Sequence, residues 1–412
     1  MVIVIALVIG VLCSSLIVVA YFYRSEYQRK FRYDRLQNNL NSGVNILLAS
    51  PDTAYARQTT FSLFLFNKDA DTVSIQKSIW GMYDICTVKA FIQKDTLFKT
   101  FLIANAVDSA KWATIYLADE DRPVSVSGKT SITGNVFIPK AGIQSAYIDN
   151  KAYSGDKRIV IGEKHISERN LPVLDTLRLN LLDKNFSAKG DPMAGKDTIN
   201  QSFLKNTRVF DFKNVVQTLD HIRLNGNILL HSDTTLIIDS TASLSNVLVF
   251  ARSIIIKDGF RGNCQLFATD SISVGKNCHF TYPSCLGIIR SSAPKIISQA
   301  KVSLGENTTF GGLIFTNEKK PGAMKPMISL NKADTIRGQI YSQDALALKD
   351  QCVFDGSVFT NRFVYRNSFT LYENYLINAT FNSKDLSPYY LVSAATPVSS
   401  KKKKILQWLE GN

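Results

Sequence analysis

Residues 336–341, IRGQIY, show the pattern that decides most of this fold: an apolar residue, any residue, glycine, any residue, then two apolar residues. Glycine accepts the positive φ angle that a sharp bend of the chain requires, and asparagine accepts it more readily than most other residues. The same pattern recurs four times in full and twice in part, at 132–137 (ITGNVF), 224–229 (LNGNIL), 310–315 (FGGLIF), 354–359 (FDGSVF), 260–264 (FRGNC) and 244–248 (LSNVL).

A second element accompanies several copies and consists of alternating aliphatic residues followed by a polar turn. It occurs at 254–259 (IIIKDG), 272–277 (ISVGKN), 302–307 (VSLGEN) and 346–351 (LALKDQ). The marker positions are 16 residues apart from Asn246 to Gly262 and 18 apart from Gly338 to Gly356. Repeats of this length are typical of one turn of a parallel β-helix. The alternative is a set of unrelated hairpins that use glycine at their turns.

The sequence therefore predicts a C-terminal parallel β-helix, or β-solenoid, over residues 125–395. Residues 150–215 lack the repeat, and we expect them to form an excursion from the coil. The last segment, 396–412, contains four consecutive lysines at 401–404. Such a segment is typical of a disordered basic tail or of a short amphipathic helix that docks on a partner.

The other end of the chain is strongly apolar. Residues 1–23, MVIVIALVIGVLCSSLIVVAYFY, contain no charged side chain and as a helix would span about 35 Å, enough to cross a bilayer core. The run ends in aromatic residues, which suit the membrane interface, and Arg24 follows at once. It has no basic region before it and no clear cleavage site, so we expect a retained anchor. Leu12 precedes Cys13, and a lipoprotein site would need a small residue there.

The helix is predicted to continue beyond the membrane. Leu36, Leu40, Val44 and Leu48 recur every four residues and form one apolar stripe. Ser50 and Pro51 then provide a stop. Residues 1–50 are thus predicted to form a transmembrane and stalk helix. Residues 51–124 are predicted to form a small antiparallel β region on it, from the strand-like segments 61–66 (FSLFLF), 72–75 (TVSI) and 87–92 (TVKAFI).

Composition narrows the function classes. The chain has 412 residues, 45% of them hydrophobic and 20% charged, which argues against disorder as the main state. The net charge of +14 favours acidic partners. However, the basic residues are scattered and no nucleic-acid-binding motif occurs, so we expect no nucleic-acid partner.

The residues that could carry chemistry form no recognisable motif. No Cys-x-x-Cys pair occurs, and His165, His221, His231 and His279 complete no zinc spacing. We expect the cysteines after Cys13 to be buried apolar side chains, although Cys264 and Cys278 could face each other on neighbouring turns. Asp258, Asp350 and Asp355 stand at predicted corners, where turn chemistry accounts for them. The sequence thus predicts no catalytic, cofactor-binding or metal-binding residues, no cofactor and no enzymatic activity.

The long helix, apolar in its first half and amphipathic in its second, resembles the N-terminal region of type IV pilin-like proteins, especially minor pilins and the minor pseudopilins of type II secretion. The resemblance covers residues 1–50. Two features of the family are not seen in the sequence: a basic leader with a prepilin peptidase site, and the glutamate that major pilins carry near the start of the helix, around Ile5. Some minor pseudopilins lack this glutamate too. The resemblance implies a single-pass inner-membrane protein that contacts the bilayer through residues 1–23. It also implies protein partners in a membrane or filament assembly, with the C-terminal domain periplasmic or extracellular.

Two alternatives stay open from the sequence. Five basic residues follow the span, and the positive-inside rule would place the C-terminal domain in the cytoplasm: Arg24, Arg29, Lys30, Arg32 and Arg35. A membrane-tethered scaffold similar to a bactofilin, polymerising end to end, would fit that orientation. A polysaccharide-active β-helix enzyme is the other alternative, and it would need two carboxylates facing each other across a groove. For the pilin-like or stalked membrane protein, we expect deletion of residues 1–50 to leave a soluble, folded domain.

Overall fold

The computed structural model of the protein describes residues 1–51, 61–64, 71–193, 198–291, 298–320 and 322–411. Over these residues the chain is mainly β. Its helices and strands are, in chain order, α1 (Val2–Ala49), β1 (Phe61–Phe64), β2 (Asp71–Trp80), β3 (Tyr83–Ile92), β4 (Asp95–Val107), β5 (Ile115–Leu117), β6 (Val124–Ser127), β7 (Ser131–Thr133), β8 (Val136–Ile138), β9 (Ile143–Ser145), β10 (Tyr147–Ile148), β11 (Lys151–Ala152), β12 (Val160–Ile161), β13 (Lys164–Ile166), α2 (Thr176–Asp183), a 3-10 helix (Lys184–Ser187), β14 (Thr198–Gln201), β15 (Arg208–Asp211), β16 (Gln217–Leu219), β17 (Arg223–Ile238), β18 (Ser243–Ile256), β19 (Arg261–Val274), β20 (His279–Arg290), β21 (Lys301–Ser303), β22 (Thr309–Glu318), β23 (Met327–Ser329), β24 (Thr335–Ala347), β25 (Val353–Arg366), β26 (Leu371–Glu373), β27 (Tyr375–Ile377), β28 (Thr380–Asn382), β29 (Leu391–Val392) and β30 (Ser399–Gly411).

The chain divides into two compact units. The first, called the helix unit below, comprises Met1–Ile79, Asp84–Ile103 and Lys402–Asn412. The second, called the parallel unit, comprises Trp80–Tyr83 and Ala104–Lys401. Each unit is assembled from segments that are far apart in the sequence. The domain boundaries at residues 50, 124 and 395 stay predictions from the sequence.

The helix unit contains the long helix that the sequence predicted. α1 runs for 48 residues without interruption, which corresponds to about 72 Å at 1.5 Å per residue. It ends where Ser50 adopts an extended conformation, as expected for a residue that precedes proline.

An antiparallel sheet completes the helix unit, as the sequence predicted. Its strands lie in the order β1-β2-β3-β4, and β30 pairs with β4. The segments 72–75 and 87–92 lie in β2 and β3. Of the predicted strand 61–66, Leu65 and Phe66 fall outside the described residues, and the rest forms β1.

The parallel unit brings the repeated hexapeptides into register. Gly312 of β22 pairs with Gly338 of β24, which in turn pairs with Gly356 of β25. These three glycines have φ angles of 140°, 143° and 150°, which only glycine adopts without strain. The glycine that the sequence singled out therefore marks one recurring bend.

Apolar side chains also line up from strand to strand and form the core of this unit. The first apolar position of the hexapeptide gives one column of paired, buried residues: Phe280, Phe310, Ile336, Phe354, Phe381, Ile132 and Val160. The second sequence element gives another: Ile254, Ile272, Val302, Ile328, Leu346 and Phe363. All these pairings are parallel. The structure thus contains a long parallel β region, in which both elements of the repeat are stacked.

The order of strands in this region differs from their order in the chain. β5 and β28 both pair with β25, and β7 pairs with β28. Residues 115–166 therefore extend the array beyond β25, although they precede it in sequence. Residues 150–215, expected to be an excursion, supply β12 and β13 beside β7 and β8, and β14 and β15 beside β17.

A buried ion pair stabilises the array at the end of β20. Arg290 donates from Nη1 to Glu318 Oε1 over 2.8 Å and from Nη2 to Asp270 Oδ1 over 3.2 Å, and the Arg290 side chain is only 4% exposed. Its Nε–H donates to the carbonyl oxygen of Thr269 over 2.9 Å. The guanidinium thus connects three strands, and its removal would leave the Glu318 carboxylate buried without this cation.

We expect Arg290→Met to lower the free energy of unfolding by about 3 kcal/mol, because an uncompensated buried charge is costly. Arg252→Met is the matched control. Arg252 pairs with the same Asp270 over 2.8 Å, but its side chain is 56% exposed, so its loss should cost less than about 1 kcal/mol. Chemical denaturation of both variants beside the parent protein measures the difference. Equal losses of unfolding free energy in the two variants would show that the burial of Arg290 does not add to its effect on stability.

Candidate functional site

The first half of α1 has no protein surface against it among the described residues. None of the residues in its most apolar window is buried, and the helix is long and apolar enough to cross a membrane. Side chains such as Leu7, Leu12 and Leu16 are 66%, 57% and 68% exposed. An exposed apolar face of this size marks a surface that lipid or other apolar helices cover.

The second half of the same helix is part of a protein core. Leu36, Leu40 and Leu47 are at most 2% exposed, and they pack in one cluster with buried residues of the antiparallel sheet. The helix lies very close to the sheet at Gly43, where an added Cβ would be 2.6 Å from Val88 Cγ1 and 2.7 Å from Val73 Cγ1. The apolar stripe predicted from the sequence is thus the face that docks on the sheet.

The boundary between the halves carries aromatic and basic residues. Tyr21 and Tyr23 are exposed, at 70% and 78%, and the basic residues from Arg24 onwards follow them. Arg32 pairs with Asp95 over 3.2 Å, with 38% of its side chain exposed. Aromatic rings followed by arginine and lysine are typical of a membrane interface. The arrangement can hold one end of the protein at a bilayer surface.

The lysine run at the C-terminus has a structural role that the sequence did not indicate. Residues 399–411 form β30, so the interpretations as a disordered tail and as an amphipathic helix are both wrong. Lys403 is 8% exposed, and its Nζ donates to the carbonyl oxygen of Ser50 over 2.5 Å. A cation at the end of α1 is favourable because helix carbonyls give this end a partial negative charge. Lys403 therefore links the last strand to the end of the stalk.

The three corner aspartates are not brought together. Asp258 accepts a hydrogen bond from the backbone N–H of Lys276 over 2.7 Å, Asp350 pairs with Lys151 over 2.6 Å, and Asp355 pairs with Arg337 over 3.4 Å. Burial raises the pKa of the Asp355 carboxyl, Arg337 opposes this shift, and the negative charge of Asp385 adds to it. Asp385 is therefore a neighbour of Asp355 that the sequence did not single out. No group of three or more potential metal ligands exists among the residues that the structure describes.

The cysteines are free thiols. Five of the six are buried, and Cys13 is exposed on α1. Burial raises the pKa values of the Cys264 and Cys352 thiols to about 12, so both are protonated and unreactive at neutral pH. Cys264 and Cys278 do not form a disulfide bond.

Comparison with known proteins identifies no family. No protein-family model and no curated protein matches the sequence. Among solved structures, the competence-associated pilin ComZ from Thermus thermophilus matches with 10% sequence identity and a TM-score of 0.23, covering 87% of this chain and 86% of that chain. At this TM-score the likeness carries no argument about fold or function.

Proposed function

We propose that the protein is a membrane-anchored structural component with a pilin-like plan. In this proposal, α1 inserts by its first half into a membrane or filament assembly, and its second half carries the folded part. The observation that supports it is the contrast along one uninterrupted helix: Leu16 is 68% exposed, whereas Leu40 is completely buried against the antiparallel sheet. A helix stabilised by its own domain at one end leaves the other end free for lipid or partner helices.

We also propose that the parallel region is a β-solenoid. The stacked glycines and the two columns of buried apolar residues support this, since a coil repeats each inward position once per turn. Such a coil would present a long, rigid surface for assembly or adhesion. The role proposed for it is non-catalytic, with protein partners and no nucleic acid or cofactor.

A photo-crosslinking residue at Val11 tests the assembly role. Val11 lies in the apolar half of α1 and is 62% exposed. Irradiation of cells that make this variant should give covalent adducts with other proteins, because partner helices would cover this face. The same residue at Phe369, which is 95% exposed in the parallel unit, is the control for non-specific crosslinking. Adducts with lipid alone at position 11 would refute assembly and leave only an anchor.

The orientation separates this proposal from the bactofilin-like scaffold. The basic residues after the span favour a cytoplasmic domain, whereas the pilin-like plan places the domain outside the inner membrane. A reporter fused after Asn412 that is active only in the periplasm should show activity. Activity of a cytoplasm-specific reporter at the same position would instead support the scaffold, with the solenoid polymerising inside the cell.

A further inference from the structure

A groove of about 890 Å³ lies on the outside of the parallel unit. Its floor consists of consecutive strands, because Gly311, Arg337 and Asp355 are register neighbours in β22, β24 and β25. Gly311 lies close to the neighbouring strand β20, since an added Cβ would be 2.9 Å from the backbone nitrogen of Tyr282. The groove therefore runs across strands at an interval of about 4.8 Å.

One wall of the groove is the segment from Asp385 to Tyr390. Tyr390 holds this segment to the floor, since its hydroxyl donates to the carbonyl oxygen of Gly312 over 3.3 Å. Tyr282 of β20 holds the end of the same segment, because its hydroxyl donates to the carbonyl oxygen of Leu391 over 2.8 Å. The rings of Tyr282 and Tyr390 are 5.1 Å apart. The wall is thus anchored at two points and the groove is preformed.

The rim carries an aromatic ring that the fold does not use. Tyr389 is 83% exposed and lies next to Tyr390, the half-buried residue that anchors the segment. An exposed ring beside polar groups offers an apolar face and a hydroxyl to a ligand. On the floor, Arg337 is 67% exposed along its side chain and uses one N–H for Asp355, whereas a guanidinium has five N–H donors.

The charges of the groove and the pairing of its floor strands argue against two ligand classes. One arginine faces two carboxylates, Asp355 and Asp385, so a phosphate or another polyanion would meet net repulsion, despite the +14 charge of the whole chain. An extended peptide would need an unpaired strand edge, whereas the floor strands are paired with each other.

We propose that the groove binds an uncharged saccharide chain. Such a ligand presents hydroxyl groups that both donate to carboxylates and accept from a guanidinium, and its ring faces can stack on tyrosine. Arg337 and Asp355, on adjacent strands of the floor, provide successive polar contacts along the saccharide chain. This site lies in the parallel unit and does not depend on the assembly proposed for α1.

A glycan array tests the proposal with the full-length protein. The detergent must lack a sugar headgroup, because maltosides and glucosides would compete for the groove. We expect retention of neutral oligosaccharides and not of sulfated or uronic-acid oligosaccharides. For the neutral oligosaccharide that is retained best, Tyr389→Ala and Arg337→Gln should each raise Kd roughly tenfold by calorimetry.

Tyr147→Ala is the matched control, since Tyr147 is 69% exposed in the same unit but does not line the groove; its Kd should equal that of the parent protein. All three replaced side chains are exposed, so the variants should fold normally, as circular dichroism can show. Failure to retain any neutral oligosaccharide overturns the proposal. Retention of anionic glycans only, or a Kd that both groove variants leave unchanged, overturns it as well.

Discussion

Removal of residues 1–27 should give a folded protein that is soluble without detergent, whereas removal of residues 1–50 should unfold the helix unit. The first deletion takes away only exposed residues of α1. The second also removes Leu36, Leu40, Val44 and Leu47, which are at most 6% exposed in the core of that unit. At about 2 kcal/mol for each buried side chain, the loss is roughly 8 kcal/mol, comparable with the whole stability of a small domain.

Hydrogen exchange of residues 71–103 measures this outcome directly. Protection should persist in the shorter deletion and disappear in the longer one. Two point variants give the same comparison without truncation: Leu40→Ala should cost about 3 kcal/mol, whereas Leu16→Ala, at an exposed position of the same helix, should cost close to nothing in detergent. If the sheet stayed protected after removal of residues 1–50, this would support the prediction from the sequence that the rest of the chain folds without the helix.

Gly356→Ala should lower the free energy of unfolding by about 4 kcal/mol, from backbone strain and overlap together. The φ angle of Gly356 is 150°, a conformation open essentially to glycine. An added Cβ would also overlap the carbonyl oxygen of Gly338, which belongs to the neighbouring strand and cannot turn aside. Because Gly338 pairs in turn with Gly312, a shift at one strand would be passed to the next.

Gly259→Ala separates the two causes. Gly259 has a φ angle of 80°, but no atom lies within 4 Å of the position of an added Cβ. Its replacement should cost only the strain, about 1 kcal/mol. Chemical denaturation compares the two variants, and a similar small loss at both positions would mean that the glycine column is not tightly stacked.

The helix and the repeat could be predicted because their signals are local. Residues 1–23 indicate a helix long and apolar enough to cross a membrane, and Leu36, Leu40 and Val44 follow the 3.6-residue period that directs one face inward. The five complete glycine hexapeptides likewise carry a local signal, because the glycine of each adopts a positive φ angle, whereas Gly262 of a partial copy does not. These features need no knowledge of distant residues.

The partners of these elements were decided by the tertiary structure. Nothing near Lys403 in the sequence indicates that it binds the end of α1, and nothing near Ile115 indicates that β5 pairs with β25. The groove likewise depends on a segment around Tyr389 that crosses strands from β20 to β25. The sequence by itself determined the long apolar helix, its amphipathic second half and the repeating strand. Which strands meet, and which polar groups share a site, follows only from packing, because pairing depends on shape and burial across the whole chain.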